Sequence, residues 1–267
     1  MVICLPNCYI CGLKFFRDPF LQITYFKRFR MKESIEEYDF QKGEILLFDK
    51  ELDWTSFDLV RKLRNFLCRE TGIRKLKVGH AGTLDPKATG LMVVCTGKET
   101  KNIDLIQAKE KEYVATLRLG ATTPSYDLET VENEFFSTDH VTRELIEDQL
   151  KKFMGEIDQI PPLFSAVKIE GKRAYEHARK GSDMVLQPKK ITIYELELIH
   201  FSEKEIVLRI VCSKGTYIRA LARDLGSALN CGAYLVGLCR TRIGDLKLED
   251  AWQLKKFMEN IKMPETK

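Results

Sequence analysis

"VGHAGTLDPKATGLMVV", residues 78–94, decides how the rest of the chain is read. A loop punctuated by Gly79, Gly82 and Gly90 carries His80 and a single carboxylate, Asp85, next to Pro86, and then runs into the apolar segment 91–97. Asp-Pro is a common turn initiator, so turn chemistry alone accounts for an Asp at this spacing. Several other chemistries fail on the surrounding residues. A phosphatase-type nucleophile wants a second Asp two positions on, where Lys87 stands. A phosphate-binding loop around Gly97 and Lys98 needs a glycine at 92 and a hydroxyl at 99, and the chain has Met92 and Glu99. A metal site needs clustered ligands, which this stretch lacks. Beside the turn there remains a lone carboxylate acting as nucleophile or electrostatic stabiliser, in a loop whose glycines let a substrate approach the backbone.

The rest of the chain bounds the partner. It has 267 residues, 44% hydrophobic and 31% charged, the balance of a globular protein of one large domain or two small ones. The formal net charge of +4 is permissive of nucleic acid without demanding it. The uncharged stretches 1–13 and 226–239 are too short to span a bilayer. The N-terminus has no positive n-region and no small-residue cleavage site, so the eight cysteines read as reduced thiols of a cytoplasmic protein. Cys4, Cys8 and Cys11 have the C-x3-C-x2-C spacing of a radical iron–sulfur enzyme. No strand precedes them and no β/α alternation follows, so coincidence is the better reading. The pair Cys8 and Cys11 lacks the second pair a zinc site would need.

Working outward, "EILLF" (44–48) reads as a short strand, and Thr55 and Ser56 open a helix with Phe57, Val60, Leu63 and Phe66 at helical spacing. "RKLK" (74–77) is a basic approach to the central loop. "KEYVATLRLG" (111–120) alternates Tyr113, Ala115, Leu117 and Leu119 on one face, a half-buried strand. Val141, Leu145, Ile146, Leu150 and Phe153 stripe an amphipathic helix that Gly155 is expected to end. Residues 160–181 read as a Pro-rich turn, a strand, a turn at Gly171 and a short helix. Two long strands follow (191–201 and 205–215), then a helix with Ile218, Leu221, Ala222 and Leu225 on one face, and last a short Lys-rich helix and tail. Strands paired in sequence and irregularly interspersed with helices predict an α+β fold whose sheet is mostly antiparallel.

"GHAGTLDPKATGLMVVCTGKETK" closely resembles the signature of the bacterial tRNA pseudouridine 55 synthases, the TruB-type pseudouridine synthase family. "LFDKELDWTSFDLV", "KEYVATLRLGATTPSYD", "IPPLFSAVKIEGKRAYEHARKG", "CSKGTYIRALARDLG" and "LVGLCRTRIG" resemble further family blocks in the same order, over about residues 42–250. Glu51 and Asp53 stand where the family usually has Pro and Gly. The resemblance implies the pseudouridine synthase fold, a central mixed, mostly antiparallel sheet flanked by helices and loops. It implies an isomerase that moves the uracil–ribose bond of the T-loop uridine 55 of tRNA from N1 to C5, without cofactor or metal.

The resemblance also assigns roles. Asp85 falls on the catalytic aspartate, whose attack frees the uracil of a flipped-out nucleotide. Tyr113 falls on the tyrosine that stacks on that uracil and is the candidate to take its C5 proton. Arg219 falls on the arginine that pairs with the aspartate, where a guanidinium keeps a carboxylate ionised and oriented. His80 falls where a ring fills the space left by the flipped base. Gly82, Thr83, Tyr217 and Leu238 fall on the pocket and its walls. Lys98, Lys101, Lys111, Arg173 and Arg179 are candidate phosphate contacts.

Residues 31–250 are expected to form the catalytic domain. Residues 1–30 have no family counterpart and are expected to be an extension, with Met31 as the alternative start. Residues 251–267 are expected to form a short helix and tail in place of the PUA-type RNA-binding domain of many members. The expected partner is the tRNA T-arm stem-loop, for a monomer with no membrane or protein partner. A non-catalytic RNA-binding or tRNA-folding protein on the same fold is the rival function. The joint presence of Asp85, Tyr113 and Arg219 speaks against it.

Overall fold

The computed structural model describes residues 34–163 and 186–261, together with the backbone of 168–169 and 172–173. The expected N-terminal extension with its three cysteines, the short helix after Gly171 with Arg179, and the end of the tail lie outside the described residues.

The strands, in chain order, are β1 (Ile45–Lys50), β2 (Val78–His80), β3 (Ala88–Thr96), β4 (Lys111–Leu119), β5 (Ala121–Thr122), β6 (Glu134–Phe135), β7 (Gly155–Gln159), β8 (Lys168–Ile169), β9 (Lys172–Arg173), β10 (Lys189–Phe201), β11 (Glu205–Cys212), β12 (Ala233–Ile243), β13 (Leu246–Lys247) and β14 (Trp252–Gln253). The helices are α1 (Ser56–Thr71), α2 (Ile103–Ala108), α3 (Arg143–Lys151), α4 (Ile218–Ala228) and α5 (Leu254–Asn260). The main sheet runs β14-β1-β3-β12-β4-β11-β10-β7, with β2 paired to β3 and β13 to β12. Only β1 with β14 and β3 with β12 are parallel; every other pairing in it is antiparallel. The α+β expectation therefore holds.

The alternation read in β4 is the alternation observed. Tyr113, Ala115, Leu117 and Leu119 are buried in one core with Ile206, Leu208 and Ile210 of β11, Leu235 of β12 and Leu221 and Leu225 of α4. The opposite face carries charge. Arg209 bridges Glu112 at 3.0 Å and Glu197 at 3.2 Å and also pairs with Glu195, while Arg242 meets Glu110 at 2.6 Å. One dry and one wet face is the normal economy of an antiparallel sheet. β3 differs, being buried from Gly90 to Thr96, as suits a strand covered on both faces.

Helix α1 shows how a plausible stripe can be off. Thr55 caps it, its hydroxyl accepting from the Asp58 amide at 3.0 Å, and Gly72 closes it at φ +70°. The buried face is Ser56, Leu59, Val60, Leu63, Phe66 and Leu67, whereas Phe57 is 67% exposed. A strict spacing of three drifts by about 60° per step on a 3.6-residue helix, so Phe57 lies on the far side from Phe66. Phe57 instead packs under the Arg61 guanidinium, 5.8 Å from its ring centre. Gly155 differs from expectation too: α3 stops at Lys151, and Gly155, at φ +85°, opens β7.

The parallel pairing of β3 with β12 depends on one glycine. Gly90 sits opposite Arg240 at φ +101°, and a Cβ there would stand 2.4 Å from the Arg240 carbonyl oxygen and 2.7 Å from its amide nitrogen. Gly90→Ala is expected to cost about 3 kcal/mol or more, from backbone overlap added to an unfavourable φ. A urea-unfolding curve checks this; an unchanged midpoint would contradict it.

Candidate active site

The loop before β3 is held from several sides. The Ser56 hydroxyl donates to the Leu84 carbonyl at 2.9 Å and accepts from the Leu84 amide at 2.8 Å, which explains why a serine belongs on the buried face of α1. The Ala88 amide donates to the Asp85 carbonyl at 3.0 Å, closing a tight turn with Pro86 inside it. Turn chemistry thus occupies the backbone of Asp85 and leaves its side chain available. Asp53 adopts φ +64°, the left-handed conformation for which glycine is the usual choice. Its amide donates to the Pro86 carbonyl at 2.9 Å, and its carboxylate takes the Lys87 ammonium at 2.7 Å. Asp53 therefore fills a glycine-like position and is tied to the loop it adjoins.

Lys50 lies fully buried beneath the loop, its ammonium donating to the carbonyls of Glu51 at 2.9 Å and Trp54 at 2.7 Å, with that of Pro86 at 3.5 Å. Burial pulls its pKa down to about 8, against the attraction of Asp85 and Asp53. Between about pH 8 and the lysine's unfolded value of about 10.4 the unfolded chain binds the extra proton, so this group makes stability rise with pH. Relative to Lys50→Met, the wild type should gain about 2 kcal/mol between pH 8 and pH 10. Chemical denaturation of both proteins across that range checks it; parallel curves would contradict it.

Asp85 faces Arg219 from the first turn of α4. Arg219 Nε lies 3.0 Å from Asp85 Oδ2, and the arginine side chain is 7% exposed against 40% for the aspartate. Its Nη1 reaches Asp127 Oδ2 at 3.5 Å and the Ser125 carbonyl at 3.4 Å. Asp127, buried, is itself oriented by the Ser125 hydroxyl at 2.5 Å and the Glu129 amide at 2.9 Å. One guanidinium thus spans two carboxylates of different exposure. Tyr217 begins α4, its amide donating to Gln159 Oε1 at 2.8 Å and its carbonyl accepting from Gln159 Nε2 at 3.1 Å, which fixes the start of the helix that carries Arg219.

These groups open onto a cavity of about 860 Å³. Gly82, Thr83, Asp85, Lys111, Tyr113, Tyr217, Arg219 and Leu238 line it. Its volume is in the range of small-molecule sites. Tyr113 is buried, and burial pushes its hydroxyl pKa above the usual range, offset in part by Arg240.

The other expected contacts are placed differently. His80 ends β2 beside the loop and is not in the cavity wall; burial, and then the charge of Arg240, lowers its pKa and keeps the ring neutral. Its Nδ1 is buried and has no hydrogen-bond partner among the described residues. Lys98 and Lys101 are exposed on the 3-10 turn 97–102, outside the wall. Lys111 is not a surface cation. It is buried, its ammonium donating to the Lys109 carbonyl at 2.6 Å and also to that of Gln107, and burial lowers its pKa to about 8. It therefore braces the wall, and its backbone-bonded ammonium does not fit a free phosphate contact.

Sequence reasoning missed Asp127 and Arg240. Asp127 lies in the quoted block 111–127 but looks like an ordinary polar loop residue. Arg240 carried a fainter signal, a charge two positions after Leu238 on a strand with a buried face. Among the described residues no three His, Cys, Asp or Glu side chains cluster to hold a metal ion, and no helix is long and apolar enough to cross a membrane.

Residues 69–218 match the family model described as TruB family pseudouridylate synthase, N terminal domain. A tRNA pseudouridine synthase B of Phocaeicola vulgatus is 58% identical over 221 residues, 83% of this chain and 94% of the relative. Its namesake in Flavobacterium johnsoniae is 50% identical over 227 residues, 85% of this chain and 98% of the relative. Among solved structures, a chain of a Cbf5-Nop10-Gar1 complex matches with a TM-score of 0.64 and 29% identity over 84% of this chain and 56% of its own. The described chain thus spans little more than half the length of that structural relative.

Proposed function

From its membership of the TruB family of pseudouridylate synthases, as family model and relatives agree, we propose that this chain acts on the T-loop uridine at position 55 of tRNA and uses Asp85 as its nucleophile. The coarser activity is that of the family: the chain is an isomerase that converts uridine to pseudouridine in tRNA. The observation that carries the finer reading is Asp85, 3.0 Å from a buried Arg219, on the wall of a cavity that also holds Tyr113.

The target nucleotide leaves its stack, at a cost of roughly a few kcal/mol, and its base enters the cavity. Arg219 holds the Asp85 carboxylate in one direction, its Nε 3.0 Å from Oδ2. Attack by Asp85 leads to cleavage of the bond between uracil N1 and ribose C1′, and the freed ring turns. The new bond joins C5 to ribose C1′ and releases Asp85, the C5 proton is lost as N1 gains one, and Tyr113, stacked on the ring, is placed beside that transfer. Leu238 and Tyr217 close the walls. His80, neutral and with an unpartnered nitrogen, is suited to enter the space the base leaves without carrying a charge into it.

The test is to incubate the protein with an unmodified tRNA transcript and map pseudouridine by carbodiimide labelling and primer extension. A single stop at position 55, absent when that uridine is replaced by cytidine, is the expected result. A stop elsewhere in the tRNA would overturn the site assignment. Refolding of tRNA with no stop would favour a folding activity instead.

A further inference from the structure

We propose that Arg240 is a positioning residue for the isomerisation, coupling the loop that carries Asp85 to the Tyr113 hydroxyl. The inference rests on the roles given above to Asp85 and Tyr113.

Arg240 is 1% exposed, in the middle of the long strand β12. A buried guanidinium ordinarily sits against a carboxylate. Here, among the described residues, its hydrogen-bond acceptors are neutral. Nε donates to the Leu91 carbonyl at 2.8 Å and Nη2 to the Gly82 carbonyl at 3.0 Å, with the Thr83 carbonyl 3.5 Å from Nη1. Two of those acceptors lie two and three residues before Asp85. Gly82 sits at φ +115°, a backbone conformation that favours glycine, and a Cβ there would make ordinary contact with Nη1 at 3.4 Å.

The fourth contact is Tyr113. Arg240 and Tyr113 are directly opposite in the antiparallel pairing of β12 with β4, both line the cavity, and the guanidinium charge acts on the tyrosine hydroxyl. A guanidinium only donates, so toward it the hydroxyl presents its oxygen and its own proton is left to point elsewhere. The charge polarises that hydroxyl from across the strand pair. One rigid planar group thus sets the separation between nucleophile loop and stacking ring. Lysine, a point donor on a flexible stem, cannot hold acceptors on several sides of a plane.

The test is single-turnover kinetics on saturating unmodified tRNA for Arg240→Lys, Arg240→Gln, Tyr113→Phe and the Arg240→Gln/Tyr113→Phe double variant, with filter-binding affinities and thermal unfolding of each. Arg240→Gln is expected to slow turnover by about 10²-fold, the scale of a misplaced reacting group, with tRNA affinity within about threefold of wild type. In the Tyr113→Phe background the same change should cost no more than about tenfold, because part of its effect runs through the missing hydroxyl. Arg240→Lys, which keeps a buried cation, should still be slowed at least about tenfold while folded, and this holds the proposal open to refutation if the Gln variant fails to fold. Equal losses in both backgrounds, a Lys variant as fast as wild type, or affinity falling in step with turnover would each overturn it. A fully active Tyr113→Phe would instead overturn the role given to Tyr113 itself.

Discussion

Asp85→Asn should leave a folded protein that binds tRNA and does not turn it over. The turn around Pro86 is closed by the Asp85 carbonyl, which the substitution retains, and the side chain is 40% exposed, so little packing is at stake. Arg219 keeps Asp127 as a charged partner. An amide oxygen can still accept from Arg219 Nε, but it is not a nucleophile. Stability should change by about 1 kcal/mol or less. Single-turnover rates should fall by about 10⁴-fold or more, the scale seen when a nucleophile is removed from a preorganised site. Affinity for tRNA should stay within a few-fold, since backbone phosphates supply most of it. Turnover within about tenfold of wild type would remove Asp85 from the chemistry.

Arg219→Ala should damage both activity and stability. It strips the cation from between two carboxylates, one of which, Asp127, is only 4% exposed at its side chain. Removing one partner of a buried pair typically costs about 3–5 kcal/mol. Turnover should fall by about 10³-fold, because Asp85 loses the group that directs it. Arg219→Lys should recover much of the stability and little of the rate, since a single ammonium cannot meet Asp85, Asp127 and the Ser125 carbonyl together. Urea unfolding and single-turnover kinetics on both variants decide the matter. If tRNA binding collapsed while turnover at saturation were unchanged, Arg219 would be a phosphate contact.

Buried thiols in the core report on packing. Burial pushes the pKa of Cys95 up to about 12 and that of Cys212 up to about 11, which keeps both protonated and unreactive at neutral pH.

Local patterns in the chain determined a good deal. The period-two alternation of 113–119 specified which face of β4 is buried, because a strand between two others has one dry side. The cap at Thr55 and the glycines around Asp85 were legible because each meets a local demand, a free helix amide or a backbone needing room. The ordered blocks pointed to Asp85, Tyr113, Arg219, Tyr217 and Leu238, and the fold brings all five to one cavity from a loop, two strands and a helix.

What the chain could not show locally was decided by contacts between distant segments. Phe57 faces out because Ser56, bonded to Leu84, sets the rotation of α1. Lys111 has the composition of a phosphate contact, and only the position of the Gln107 and Lys109 carbonyls turns its ammonium inward. Asp127 becomes part of the site because α4 delivers Arg219 to it from more than ninety residues away. Arg240 becomes a clamp only when β12 is laid between β3 and β4, with Leu91 and Gly82 on one side and Tyr113 on the other. A buried charge is stable only where its partners are assembled around it, and those partners are set by the sheet order and register, which no single stretch of sequence contains.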